Sequence, residues 1–344
     1  MPSTPQIIPL RIVSIGGGNG LSTLLRGLKR YTRAGEGILE ITAVVTVTDE
    51  GGSSGRLRRE FDVLPPGDIR NCMVALSEDE TLLSRLFQYR FAEGRGLKGH
   101  SFGNLFLMAM THLTGDFNQA VRFSAEVLAV RGRIFPSTAA NVVLEATLSN
   151  GRKVAGESKI SRSRSRIEKI EIFPKQPKPL AETLEAIEQA DLITLGPGSL
   201  FTSVIPNLLV DGIPEAIARS HALKAYFVNL MSQPGETTNF RASDHVEAIY
   251  RHAKREILDT CVINSRSIRG KVLDRYTRRA AQPVENDVDN LEGLGLKVIA
   301  ADLLRMQGVQ ANEKIRHDPT VAGAIAFELA QKGARRKAKR EKKK

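Results

Sequence analysis

No tryptophan occurs in the chain, and aromatic residues make up only 5% of it. A flat, extended acceptor molecule would need a broad aromatic or apolar slot, and the five tyrosines do not mark one out. Cysteine is almost as scarce. Cys72 and Cys261, each inside an apolar run, form neither a disulfide framework nor a CxxC metal pair, which points to a reducing, cytoplasmic setting. Long hydrophobic runs are missing too. No stretch approaches the ~20 apolar residues of a membrane span, and Met1-Pro2-Ser3-Thr4-Pro5 lacks the basic region and apolar core of a signal peptide. A soluble protein with no membrane span is expected.

Positive charge is plentiful but unevenly placed. Residues 333–344 (GARRKAKREKKK) hold eight Lys/Arg and one Glu, so +7 of the net +12 belongs to a tail with no apolar residue beyond alanine. Such a segment buries too little surface to order itself and reads as a disordered, solubilising end, with electrostatic attraction to RNA or a membrane surface as the alternative. The +5 left over the body is unremarkable, and no specific nucleic-acid partner is expected. With 344 residues and 41% hydrophobic content the chain can bury a sizeable core. The expected organisation is a disordered start (1–9), one α/β domain (10–332) with an antiparallel excursion at about 141–173, and the basic tail.

The rest of the chain is read around residues 10–28. Leu10 to Ile15 is a short apolar run, Gly16, Gly17, Gly18 and Gly20 follow, and Leu21, Leu24, Leu25 and Leu28 then repeat at the spacing of one helix face. Strand, glycine turn and helix form a phosphate-binding arrangement, because the first helical turn leaves backbone N–H groups unpaired and the helix dipole adds partial positive charge there. Two of the three glycines of the dinucleotide fingerprint are present, with Leu21 in place of the third. A tight turn without a ligand is the plain alternative.

Ile41 to Val47 reads as a second parallel strand, ending in Thr48-Asp49-Glu50-Gly51-Gly52-Ser53-Ser54-Gly55-Arg56. In a doubly wound sheet ligands bind beyond the carboxyl ends of strands, so this loop and the first glycine turn should share a crevice. Its acids suit either a ribose or a Mg²⁺ ion against phosphates, and its glycines, serines and arginine suit phosphoryl oxygens. Asp68, after two prolines, reads as a helix cap, with Arg70 and Asn71 in the following turn. His100, Ser101 and Asn104 open a very apolar helix. From Asn141 the period changes to alternation, with a hairpin signal at Asn150-Gly151 and a basic, serine-rich turn at 160–166 that reads as mobile. The opening pattern then recurs: the buried run Leu192 to Leu195 ends in Gly196-Pro197-Gly198-Ser199, which predicts a second anion-binding turn. A last buried run is expected at Leu296 to Leu303 and a final helix at Thr320 to Gln331, with Pro319 as its punctuation.

The segments IGGGNGLSTLLRGLK, VTDEGGSSGRLR, PPGDIRN, GHSFGN, TGDF, GPGSLFTSVIPNLL and GETTNFRASDH, in this order over about residues 11 to 330, resemble the YvcK/CofD-like family and specifically its YvcK branch, the gluconeogenesis factors. The resemblance implies a Rossmann-like, three-layer, doubly wound and mostly parallel α/β sheet of CofD topology. It also implies a site: Gly17, Gly18, Asn19, Asp49, Ser53, Ser54, Asn71, Asn104, Gly198 and Ser199 around a nucleotide crevice, with Tyr276 and Arg316 as contacts to a nucleotide sugar. Asp49-Glu50 stands where relatives usually show two aspartates, so an Mg²⁺ ion on Asp49 is left open. By the same resemblance, the enzyme that defines the family transfers phospholactate from a nucleotide donor to a deazaflavin. The YvcK branch is associated instead with UDP-N-acetylglucosamine, cell shape and growth on gluconeogenic carbon.

Three classes follow. The first is a non-catalytic regulator that binds a UDP-sugar and acts on an envelope-synthesis partner, with a homodimer left open. The second is a Mg²⁺-dependent phosphoryl-type transferase. The third is a nicotinamide oxidoreductase, weakened by Leu21 and by the lack of a hydride-transfer pocket. The regulator is the expectation carried forward.

Overall fold

The computed structural model describes residues 9–32, 38–78, 82–305 and 314–342. Residues 1–8 of the expected disordered start, and 343 and 344 of the tail, lie outside them. Seven strands form one parallel sheet: β1 (Leu10–Gly16), β2 (Leu39–Val45), β3 (Arg133–Pro136), β7 (Leu192–Leu195), β8 (Leu223–Phe227), β9 (Thr260–Asn264) and β10 (Lys297–Ala301). Three more, β4 (Val143–Leu148), β5 (Lys153–Ala155) and β6 (Ile167–Phe173), form a separate antiparallel sheet.

The order β10-β9-β8-β7-β1-β2-β3 reverses direction between β1 and β7. The chain winds outward from β1 to β3, returns, and winds outward again from β7 to β10, which leaves a switch point between the two halves. Residues 12–16 of β1 are buried without interruption, as expected for a central parallel strand covered on both faces. The alternating pattern of β4, by contrast, buries Leu144, Ala146 and Leu148 on one face only, which is why a period of two was visible there.

Two expectations need correction. The run around Leu296 to Leu303 is not a buried strand throughout; β10 is an edge strand with partly exposed residues, because only β9 flanks it. The basic segment does not start as a disordered tail: the last helix runs from Pro319 to Glu341. Its basic residues are used on the body. Arg336 pairs with Asp259 at 2.9 Å, Lys337 Nζ donates to the Gln189 carbonyl at 3.1 Å, and Arg340 meets His221 at 3.2 Å. Among the described residues no single helix is long and apolar enough to cross a membrane.

Candidate nucleotide site

A cavity of about 710 Å³ opens where β1, β7 and β8 end, at the reversal of strand order. The two glycine turns meet there. A Cβ on Gly20 would lie 2.2 Å from the Pro197 carbonyl oxygen, so only glycine lets the turns touch. The helix Gly18–Leu28 has no side-chain cap. The Gly18 N–H is taken by the Asp68 carboxylate, and the Leu21 N–H bonds weakly to Gly17 O at 3.4 Å. Among the described hydrogen bonds none engages the N–H of Asn19 or Gly20, and both residues line the cavity. These amides sit at the positive end of the helix dipole.

Four cations, Arg275, Arg279, Lys314 and Arg316, line the same cavity, and among the described residues no carboxylate does. The Tyr276 hydroxyl accepts the Ile315 N–H at 2.9 Å, which ties that ring to the 314–317 segment. His317, buried, donates from Nε2 to the Val228 carbonyl at 2.9 Å; burial pushes its pKa down to about 4. Gly20 belongs to the glycine turn read from the sequence as a phosphate nest, whereas Arg275, Arg279, Lys314 and Asn229 were not singled out as site residues. Arg275, Arg279 and Lys314 were findable only as neighbours of Tyr276 and Arg316.

The second turn differs from its expectation. Gly198 N–H bonds to Asn229 Oδ1 at 3.3 Å. The buried Glu236 carboxylate receives the Ser199 hydroxyl, the Ser161 hydroxyl at 3.0 Å and the Phe201 N–H. Gly198 and Ser199 do line the cavity, but the anion position of this turn is filled by the protein's own carboxylate. Burial raises the Glu236 pKa above its ordinary value, against the pull of its donors.

Asp49, Ser53, Ser54, Asn71 and Asn104 gather on the far side of Gly17, in a second, acidic cluster. A Cβ on Gly17 would lie 2.6 Å from Asp68 Oδ2. One on Gly67 would lie 2.5 Å from Asp49 Oδ2 and 2.4 Å from Ser54 Oγ, so these two oxygens flank one spot. Asn104 Nδ2 donates to Ser54 Oγ at 3.3 Å, while its Oδ1, on a side chain that is 2% exposed, has no partner. Ser53 bonds to His100 Nδ1 at 3.0 Å, and Asn71 accepts from Arg70 at 2.6 Å. Asp68 is not a helix cap: Pro66 holds that place, and the Asp68 carboxyl reaches the first glycine turn instead. Burial and the nearby Asp49 charge push its pKa up to about 7. Glu50 turns away towards Gly156 and Arg58, so Asp68, not Glu50, is the second carboxylate beside Asp49.

This donor set fits a hard divalent cation, which takes oxygen ligands. Two carboxylates and an orphaned buried amide oxygen suit that role. Among the described residues no three His, Cys, Asp or Glu side chains converge, so the fit rests on mixed oxygens and not on a carboxylate cage.

A doubly wound sheet whose reversal point carries an uncapped glycine helix and a cationic cavity defines an anion-binding α/β protein of the Rossmann-like class. Comparison with known proteins is more specific. The model of the 2-phospho-L-lactate transferase CofD family matches residues 12–304. The gluconeogenesis factor of Bacillus subtilis is 46% identical over 319 residues, covering 93% of this chain and 98% of that protein. A Nostoc relative is 50% identical over 295 residues, and there the match spans 63% of the longer protein. The crystal structure of protein BH3568 from Bacillus halodurans superposes with a TM-score of 0.87 at 45% identity, over 93% of this chain and 99% of that one. The chain belongs to the CofD family, in the branch of the gluconeogenesis factors.

Proposed function

We propose that the protein is a cytoplasmic nucleotide-sugar-binding regulator, with UDP-N-acetylglucosamine as its ligand and envelope synthesis and cell shape as its output. The observation that supports this most directly is the cavity itself. Two open helix-start amides, at Asn19 and Gly20, share one space with four cations and, among the described residues, no carboxylate. Such a space suits a diphosphate. The apolar wall formed by Leu230, Met231, Pro234 and Ile315 suits a base or sugar face beside it. Regulation needs binding without a catalytic base, and among the described residues that line the cavity the one imidazole, His317, has its Nε2 engaged with Val228.

The test is calorimetry with UDP-N-acetylglucosamine, UDP-glucose, GDP and NAD. Selective binding of the UDP-sugar is expected. Arg316→Ala should raise its dissociation constant by about tenfold to a hundredfold, the worth of a charge-assisted hydrogen bond to phosphate, with the melting temperature unchanged. Arg316→Lys should recover part of the loss, since lysine keeps the charge without the planar fork. Binding of GDP or NAD alone would remove this reading.

The acidic cluster supports a second reading, a Mg²⁺-dependent phosphoryl-type transferase. Asp49, Asp68 and Asn104 would hold the ion, which would supply charge neutralisation for a phosphoryl oxygen. On this reading Mg²⁺ should tighten ligand binding and Asp49→Asn should remove the metal effect while leaving the fold intact. Equal affinity with and without Mg²⁺ would discard it.

A further inference from the structure

The hydrogen-bond direction around Ser199 decides what this residue can offer a ligand. The Phe201 N–H and the Ser161 hydroxyl both point their protons at the Glu236 carboxylate, donors that favour its ionised form against burial; an ionised carboxylate only accepts hydrogen bonds, so the Ser199 proton is committed to Glu236. Thr202 Oγ1 donates to Ser199 Oγ at 2.7 Å and takes one of its two lone pairs. One lone pair is left, on a residue that lines the cavity. Ser199 therefore presents an acceptor there and no donor. A phosphate oxygen, itself only an acceptor, gains nothing from it and is repelled by the carboxylate one hydroxyl away. The arrangement is rigid because Glu236 is buried and held from three directions, by Ser199, by the Phe201 N–H and by Ser161 of the antiparallel excursion.

We propose that Ser199, oriented by Glu236, is a hydroxyl-reading position: it accepts a hydrogen bond from a sugar hydroxyl of the bound nucleotide and so separates the sugar end of the ligand from the phosphate end at Asn19 and Gly20. The proposal rests on the nucleotide reading above and deepens it. Glu236 is the positioning residue. The hydroxyl has two sources, the ribose or the appended hexose, and they share this chemistry.

Calorimetry distinguishes the sources. The probes are UDP, 2′-deoxy-UDP, 3′-deoxy-UDP and UDP-N-acetylglucosamine, against the wild type, Ser199→Ala and Glu236→Gln. If the ribose is read, the wild type binds one deoxy analogue about threefold to tenfold more weakly than UDP, the loss of one neutral hydrogen bond. Ser199→Ala then binds UDP and that analogue alike. If the hexose is read, the deoxy analogues match UDP, and Ser199→Ala weakens UDP-N-acetylglucosamine by the same factor while sparing UDP. Glu236→Gln supplies an N–H that can donate to Ser199 and release its proton, so the hydroxyl preference should fall while affinity for UDP is kept or raised. A purely structural role for Glu236 would instead lower all affinities together, which overturns the orienting part. Equal binding of every analogue by the wild type, with Ser199→Ala unchanged towards all four, overturns the proposal. Should no nucleotide bind the wild type at all, the nucleotide reading fails first and the hydroxyl position falls with it. If Ser199→Ala does not fold, the deoxy series and the comparison of UDP with UDP-N-acetylglucosamine under Glu236→Gln still decide it.

Discussion

Gly20 shows how one hydrogen atom in place of a side chain shapes the site. Its Cα touches the backbone of the second turn, and a methyl there would meet the Pro197 carbonyl oxygen and carbon at 2.2 and 2.5 Å. Because the obstacle is backbone, no rotamer change relieves it. Gly20→Ala should therefore cost about 2–4 kcal/mol of stability and abolish ligand binding, measured by denaturant unfolding and calorimetry. Wild-type stability in that variant would mean the turns can part. His317 makes a pH prediction. Its pKa is lowered to about 4 because burial penalises the imidazolium, and this outweighs the hydrogen bond to the Val228 carbonyl, which favours the charged ring. The unfolded chain protonates near the ordinary histidine value of about 6.5. Stability from the neutral ring is thus complete above that pH and is lost as pH falls from about 6.5 to about 4, by roughly 3–4 kcal/mol. His317→Gln, which keeps a donor for Val228, should flatten this part of the stability profile. An unchanged slope would assign it to other groups.

The last helix is the element whose role departs furthest from its composition. It crosses the first helix at glycine: a Cβ on Gly27 would lie 1.8 Å from the Pro319 carbonyl oxygen, and one on Gly323 would lie 2.5 Å from the Gly27 carbonyl carbon. Near its end a Cβ on Gly333 would meet the Asp191 carbonyl oxygen at 1.9 Å. The helix therefore lies along the body from its first turn past residue 333, and the Arg336, Lys337 and Arg340 contacts extend that docking. Arg336 and Asp259 are both partly exposed, so that pair alone adds little. Deleting residues 333–344 should nonetheless lower the melting temperature by several degrees, about 1–3 kcal/mol, through the combined loss of packing, hydrogen bonds and the last helical turns. Thermal unfolding checks this. An unchanged melting temperature would mean the docked contacts carry no stability.

Across the whole molecule, the antiparallel sheet is fastened to the main one at several points. Ser161 bonds to Glu236, Ile170 N–H bonds to His252 Nε2 at 3.1 Å, and Arg166 stacks over Phe240 with its guanidinium carbon 5.0 Å from the ring centroid. The serine- and arginine-rich turn is therefore docked, not mobile: Ser163 is buried, and its carbonyl lies against Gly235. With shared hydrogen bonds of this kind the two sheets should unfold in one calorimetric transition. A separate low-temperature transition, lost on cutting the excursion, would show that they are independent units.

The sequence by itself determined the strands and their faces. Period and run length report burial, and burial of β1 on both faces or of β4 on one is a local property of the chain. It also determined the first glycine turn, since few residues other than glycine tolerate both its φ of +60° at Gly18 and the contact at Gly20. The tertiary structure alone decided which polar groups are still free. Asp68 looked like a cap and Ser199 like a phosphate donor, because each type does those things locally. Asp68 instead answers Gly18, and Ser199 answers Glu236 from 37 residues away. Ten of the twelve expected residues likewise divide between a cationic cavity and an acidic cluster, with Gly17 and Gly18 between the two. The basic tail makes the same point. Its composition matches a disordered end, but Asp259, the Gln189 carbonyl and His221 wait in the folded body, and long-range partners leave no trace in local composition.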